Sequence, residues 1–134
     1  MTQTLEIYQS LWAMEKRQPG VPEAAPASHF ERIKAAGYHG VCIDPNVAEI
    51  NDSLALVPLF IDHQLNCMVN AFPNTRDELT PLLDMASALQ AKQVNVIGGV
   101  MPLTVLETIP VIAHWIDVAA AYDFPVLFET HRNA

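Results

Sequence analysis

Short apolar runs that end on Asp, Asn or Pro alternate along this chain with longer amphipathic segments. That alternation constrains the fold more than any other feature. The runs are LEIYQSLWAM (5–14), GVCIDPN (40–46), LNCMVNAFP (65–73), VNVIGGV (94–100) and PVLFE (125–129). They recur roughly every 30 residues, the length of one βαβ step. The segments between them carry helix start and stop signals. In SHFERIKAAG (28–37), Ser28 and Glu31 form a capping-box pair and Gly37 is the stop. DSLALVPLFIDHQ (52–64) places Leu54, Val57 and Ile61 at helical spacing, with Pro58 predicting a weakened or kinked helix. Thr75 and Glu78 form a second capping box, opening a helix over 76–93 in which Leu79, Leu82, Leu83, Ala86 and Leu89 share one face. Thr104 and Glu107 form a third, and the helix that follows, to about Tyr122, predicts Ile109, Ile112, Ile116 and Ala120 inward.

This order predicts an α/β fold of five strands and four helices, a parallel sheet joined by right-handed crossovers. The strands read as continuous apolar runs, as in sheets covered on both faces. Residues 1–134 make one domain. Two architectures compete: a doubly wound open sheet, and a (β/α)8 barrel of which the chain would hold a little more than half. No G-x-G-x-x-G follows the first run and no phosphate-binding G-x-x-x-x-G-K-[ST] loop occurs, which removes the usual marks of the nucleotide-binding open sheets.

Composition narrows the partners. The chain is 51% hydrophobic and 16% charged, enough apolar material for a core and fewer charges than the usual quarter of residues. A net charge of −8 leaves no cationic footprint for nucleic acid or for an anionic membrane surface. Cys42 and Cys67 lie inside apolar runs with no C-x-x-C, which predicts buried, reduced thiols. The N-terminal stretch lacks the apolar h-region of a secretory signal, so a cytoplasmic protein is the expectation.

Polar residues gather where the runs end: Trp12 after the first, Asp44 after the second, Asn70 and Asn74 at the third, and Glu129 with His131, Arg132 and Asn133 at the fifth. The segment VLFETHRN, together with GYHGVCID and VNVIGG, resembles the xylose isomerase-like sugar phosphate isomerase/epimerase superfamily. The resemblance implies a (β/α)8 barrel, of which residues 1–134 are the N-terminal part, that isomerises or epimerises a small sugar or keto acid with a divalent metal (Mg, Mn or Zn). It implies Glu129 as the first metal ligand and a catalytic carboxylate. Trp12, Asp44, Asn70, His131 and Arg132 become candidate substrate contacts. The Asp, His and second Glu that complete such a metal set come, in that superfamily, from the three following strands. The chain alone is therefore expected to bind no metal and to be inactive, as a fragment of a longer enzyme.

Each of these residues also has a plain structural reading. Glu129 suits the first turn of a helix, His131 a solvated loop, and Arg132 an ion pair with Glu129. Trp12 suits core or loop packing, and Asp44 an Asx turn before Pro45. His29, His39, His63 and His114 read as surface or packing residues. Two further functional classes follow. One is a non-catalytic half-barrel that assembles through its exposed sheet edges. The other is the endonuclease IV branch of the same superfamily, which the charge disfavours.

Overall fold

A computed structural model of the chain describes residues 3–15, 17–99 and 103–129. Five strands, β1 (Tyr8–Ser10), β2 (Gly40–Ile43), β3 (Asn66–Ala71), β4 (Gln93–Val96) and β5 (Val126–Phe128), form one sheet in the order β1-β2-β3-β4-β5. Every pairing is parallel. Five α-helices connect them among the described residues: α1 (Pro26–Ala35), α2 (Ile50–Leu54), α3 (Val57–Asp62), α4 (Leu79–Ala88) and α5 (Val105–Ala119).

The strand order separates the two architectures. A doubly wound sheet reverses direction at a switch point, and its helices then lie on both faces. Here each step goes to the next strand in the same direction, so right-handed crossovers lay every helix on one face. Burial agrees. Val41, Ile43, Cys67, Val69, Ala71, Val94 and Val96, all of one strand parity, join Phe30, Ile33, Phe60, Leu79, Leu82, Leu83, Ala86 and Trp115 in a single core. The opposite parity contributes none of its residues to that core. The chain is thus a singly wound β/α repeat, the winding of a (β/α)8 barrel, with β1 and β5 as open edges.

The strands are not uniformly apolar. β2 is buried at all four positions, but β3 and β4 alternate buried and half-buried. Only one face of the sheet is covered by helices, so the other keeps Asn66, Asn70, Gln93 and Asn95. At the base of that face Tyr8 stands beside Gly40, where a Cβ would overlap the Tyr8 ring and the Asn66 carbonyl oxygen.

Several local expectations change. The first run yields only the three residues of β1 as strand, and Trp12–Met14 forms a 3-10 turn. The helix expected over 52–64 divides into α2 and α3, because Pro58, lacking an N–H, starts a new helix in its first turn. That division raises the helix number from the expected four to five. Ser28 caps nothing: α1 begins two residues earlier, with Pro26 at its first position. Thr75 makes no capping bond, and the Glu78 carboxylate instead accepts the Asn74 N–H at 2.6 Å. The Thr104–Glu107 box forms as expected, Glu107 N–H donating to Thr104 Oγ1 at 3.3 Å and Thr104 N–H to Glu107 Oε2 at 2.7 Å.

Helix α5 is rotated from the expected face. Trp115 is 2% exposed, while Ile109 is 58% and Ile116 54% exposed. Ala120, the cap residue after the helix, is exposed too; of the four expected, only Ile112 packs on the core. The helix is apolar on more than one side, so hydrophobic spacing alone does not choose its orientation. The indole does: it stacks parallel to Phe128 of β5 at 6.2 Å and donates Nε1–H to the Arg76 carbonyl at 2.8 Å. The predicted stripe of α4 holds, with Leu79, Leu82, Leu83, Ala86 and the adjoining Leu89 all buried. No helix among the described residues is long and apolar enough to cross a membrane.

Candidate functional site

The helix-free face carries a polar row near the C-terminal ends of its strands. Parallel register sets Asn70 of β3 beside Asn95 of β4, and Asn95 beside Leu127 of β5. Asp44 follows β2 directly, one residue beyond the Ile43–Val69 pair, which brings it level with Asn70. Asn70 Nδ2 donates to Asp44 Oδ1 at 2.7 Å. Asn95 Nδ2 donates to Asn70 Oδ1 at 3.0 Å, and Gln93 Nε2 donates to Asn95 Oδ1 at 2.8 Å.

The direction of this chain follows from its end. A carboxylate only accepts, so Asn70 presents its NH2 to Asp44 and its carbonyl to Asn95. Asn95 then turns its own carbonyl to Gln93. Each amide leaves a second N–H and spare lone pairs on the face. The result is a line of donors and acceptors in which Asp44, Asn70 and Asn95 follow one another at strand spacing, about 4.8 Å apart, and Gln93 extends it back along β4.

Two adjoining clefts meet at Trp12, Asp44 and Glu49. One, of about 290 Å3, reaches back to Ser53 and Leu56. The other, of about 510 Å3, reaches Ser10, Phe72 and Asn74. Trp12 is 70% exposed and therefore does not serve core packing. The Arg17 guanidinium sits 5.9 Å from its ring centroid, a cation–π contact that steadies the indole. Glu49 is tied into the loop after β2, accepting the Asn46 N–H at 2.9 Å while Asn46 Oδ1 accepts the Ala48 N–H at 2.8 Å. That loop is a second capping box, and it fixes the cleft wall.

Both cysteines are free and buried. Burial pushes the Cys42 thiol up to about 12, with the neighbouring Asp44 charge adding to the effect. Burial also pushes the Cys67 thiol up, with Cys42 as the lesser cause. Neither is a thiolate nucleophile at neutral pH.

The structure therefore brings Trp12, Asp44 and Asn70 to one end of one face. Glu129 follows β5, its N–H donating to the Val96 carbonyl at 3.0 Å, and the exposed residue has the parity of the helix-free face. Three strand spacings of about 4.8 Å separate its strand from that of Asp44, and it borders neither cleft. His131 and Arg132 lie outside the described residues. Among the described residues no group of three His, Cys, Asp or Glu side chains is placed to hold a metal ion. Gln93, Asn95 and Glu49 were not singled out in the sequence. The signal for the first two was the period-two polar pattern in NCMVNA and QVNV, masked by the apolar residues alternating with it.

Comparison with family models, with curated proteins and with solved structures yields no match to this chain.

Proposed function

We propose that residues 1–134 are the first five strand units of a (β/α)8-type barrel whose helix-free face binds a sugar or keto acid for isomerisation or epimerisation. The hydrogen-bonded line Gln93–Asn95–Asn70–Asp44 carries this reading. A polyhydroxylated ligand presents alternating donors and acceptors along its carbon chain, and such a line meets several hydroxyls at once. Trp12, exposed at the cleft rim, supplies an apolar ring for the C–H face of a sugar.

On this reading Glu129 is the general base. Its carboxylate takes a proton from the carbon beside the substrate carbonyl, leaving an enediolate. The proton of the adjacent hydroxyl passes to the former carbonyl oxygen as the carboxyl group returns its own proton to the neighbouring carbon. Amide donors of the row stabilise the oxygen on which charge develops. The sequence resemblance implies a divalent cation as well. The described residues do not fit one: a resident Mg, Mn or Zn ion needs several converging donors, and among the described residues no three His, Cys, Asp or Glu side chains converge, with or without Glu129. The rest of such a set would belong to elements outside 1–134, and no step is assigned to the ion.

Saturation-transfer NMR of the 134-residue chain with D-fructose, D-xylose and hydroxypyruvate tests the binding half of the proposal. Transfer to at least one of them, abolished by Asn70→Leu and retained by Glu129→Gln, is the expected result. No transfer to any of the three, or transfer indifferent to Asn70→Leu, would sink it.

A further inference from the structure

The β1–α1 connection and the flank of α1 enclose a separate cleft of about 430 Å3, which neither Trp12, Asp44, Asn70 nor Glu129 borders. Arg17, Arg32, His29 and Glu23 line it, with Met14 and Val21 as apolar neighbours. The chain has four arginines and a net charge of −8, yet two of the four face this one cavity.

His29 marks its wall as built for polar use. The side chain is 6% exposed and lies 3.1 Å from Glu23 Oε1 through Nε2. Its buried Nδ1 has no hydrogen-bond partner among the described residues. An apolar residue would fill that space without leaving a buried nitrogen unsatisfied. Arg32 stands three residues on from His29, on the same side of α1. Arg17 is steadied at the other wall by the Trp12 ring. Two guanidiniums facing one carboxylate, with that carboxylate engaged by His29, leave a cationic excess in an otherwise acidic protein.

We propose that this cleft is an anion site for a small phosphate monoester. Arg17 and Arg32 would grip the phosphate oxygens, since planar guanidinium forks match that geometry. Met14 and Val21 would flank a short carbon body. The site is independent of the sugar-binding row, and its probes contain no sugar.

The test is an NMR titration of the full chain with inorganic phosphate, sn-glycerol 3-phosphate and succinate at constant ionic strength. It follows the His29 ring and the arginine Nε–H resonances. Saturable shifts with both phosphates, tighter for glycerol 3-phosphate, are expected. Arg17→Gln and Arg32→Gln should each weaken binding about tenfold, and both residues are exposed, so the core is untouched. Absence of saturable shifts in the unsubstituted chain overturns the proposal. So does affinity unchanged in both variants, or succinate binding more tightly than either phosphate.

Discussion

Three helices end in the same way, through single residues in the left-handed region. Gly37 at φ 86°, Gln64 at φ 51° and Gln90 at φ 52° follow α1, α3 and α4. Each begins a 5→2 and 6→1 pair of bonds: Gly37 N–H to the Lys34 carbonyl and Tyr38 N–H to Ile33, Gln64 to Ile61 and Leu65 to Phe60, Gln90 to Ser87 and Ala91 to Ala86. This is the Schellman closure, which turns the chain sharply toward the next strand. Gly37 was legible as a stop because glycine adopts that conformation freely. The two glutamines were not, since nothing in their chemistry announces a positive φ. Gln64→Gly and Gln90→Gly are each expected to stabilise the fold by about 0.5 to 1 kcal/mol in urea unfolding, while Gly37→Ala costs about 1 to 2 kcal/mol.

Cys42 sets a second residue-scale expectation. Its thiol rises from 9.0 to about 12 on folding. A raised value means that the folded state holds the proton more tightly than the unfolded chain. Its contribution is complete below pH 9 and is lost as pH climbs from 9 through 12. Cys67 shifts in the same direction. Thermal melts should therefore fall across the alkaline range, and less steeply for Cys42→Ala. An equal slope in that variant would count against the burial argument.

At the scale of elements, capping signals in the sequence proved unequal. Thr104 and Glu107 close their box, while Ser28 and Thr75 make no cap. Proline explains the first failure, because Pro26 takes the opening position of α1 and moves the start upstream. Asn74 explains the second, since its own N–H claims the Glu78 carboxylate that Thr75 was expected to share. Thr104→Ala should cost about 1 kcal/mol of stability. Ser28→Ala should stay within about 0.5 kcal/mol of the parent chain. Chemical denaturation of the two variants side by side checks both. The orientation of α5 has the same lesson: a stripe on its own is ambiguous in a helix apolar on two sides, and the Trp115 contacts decide.

For the whole molecule, the apolar side that α5 turns outward is the largest consequence of that rotation. Val105 is 78% exposed, Leu106 81%, Ile109 58% and Ile116 54%, beside an open β5 edge where Leu127 is 50% exposed. Proteins that stay monomeric rarely leave that much apolar surface in water. The isolated chain is expected to self-associate in sedimentation experiments at high micromolar concentration. The pair Leu106→Glu and Ile109→Glu should return it to monomer with its helical circular dichroism intact. A monomeric parent chain under those conditions would show that this surface does not drive association.

The alternation of apolar and amphipathic segments determined the class of this protein unaided: five parallel strands, helices between them, and polar residues waiting where strands end. It could do so because strand and helix periods are local properties of consecutive residues. Which way the sheet winds, which side of α5 is buried, and that Gln93, Asn95, Asn70 and Asp44 join in one hydrogen-bonded line were decided by tertiary structure. Asp44, Asn70 and the Gln93–Asn95 pair come from three strand units far apart along the chain, and only strand register sets them side by side. Register is a pairing between segments, and no single segment carries it.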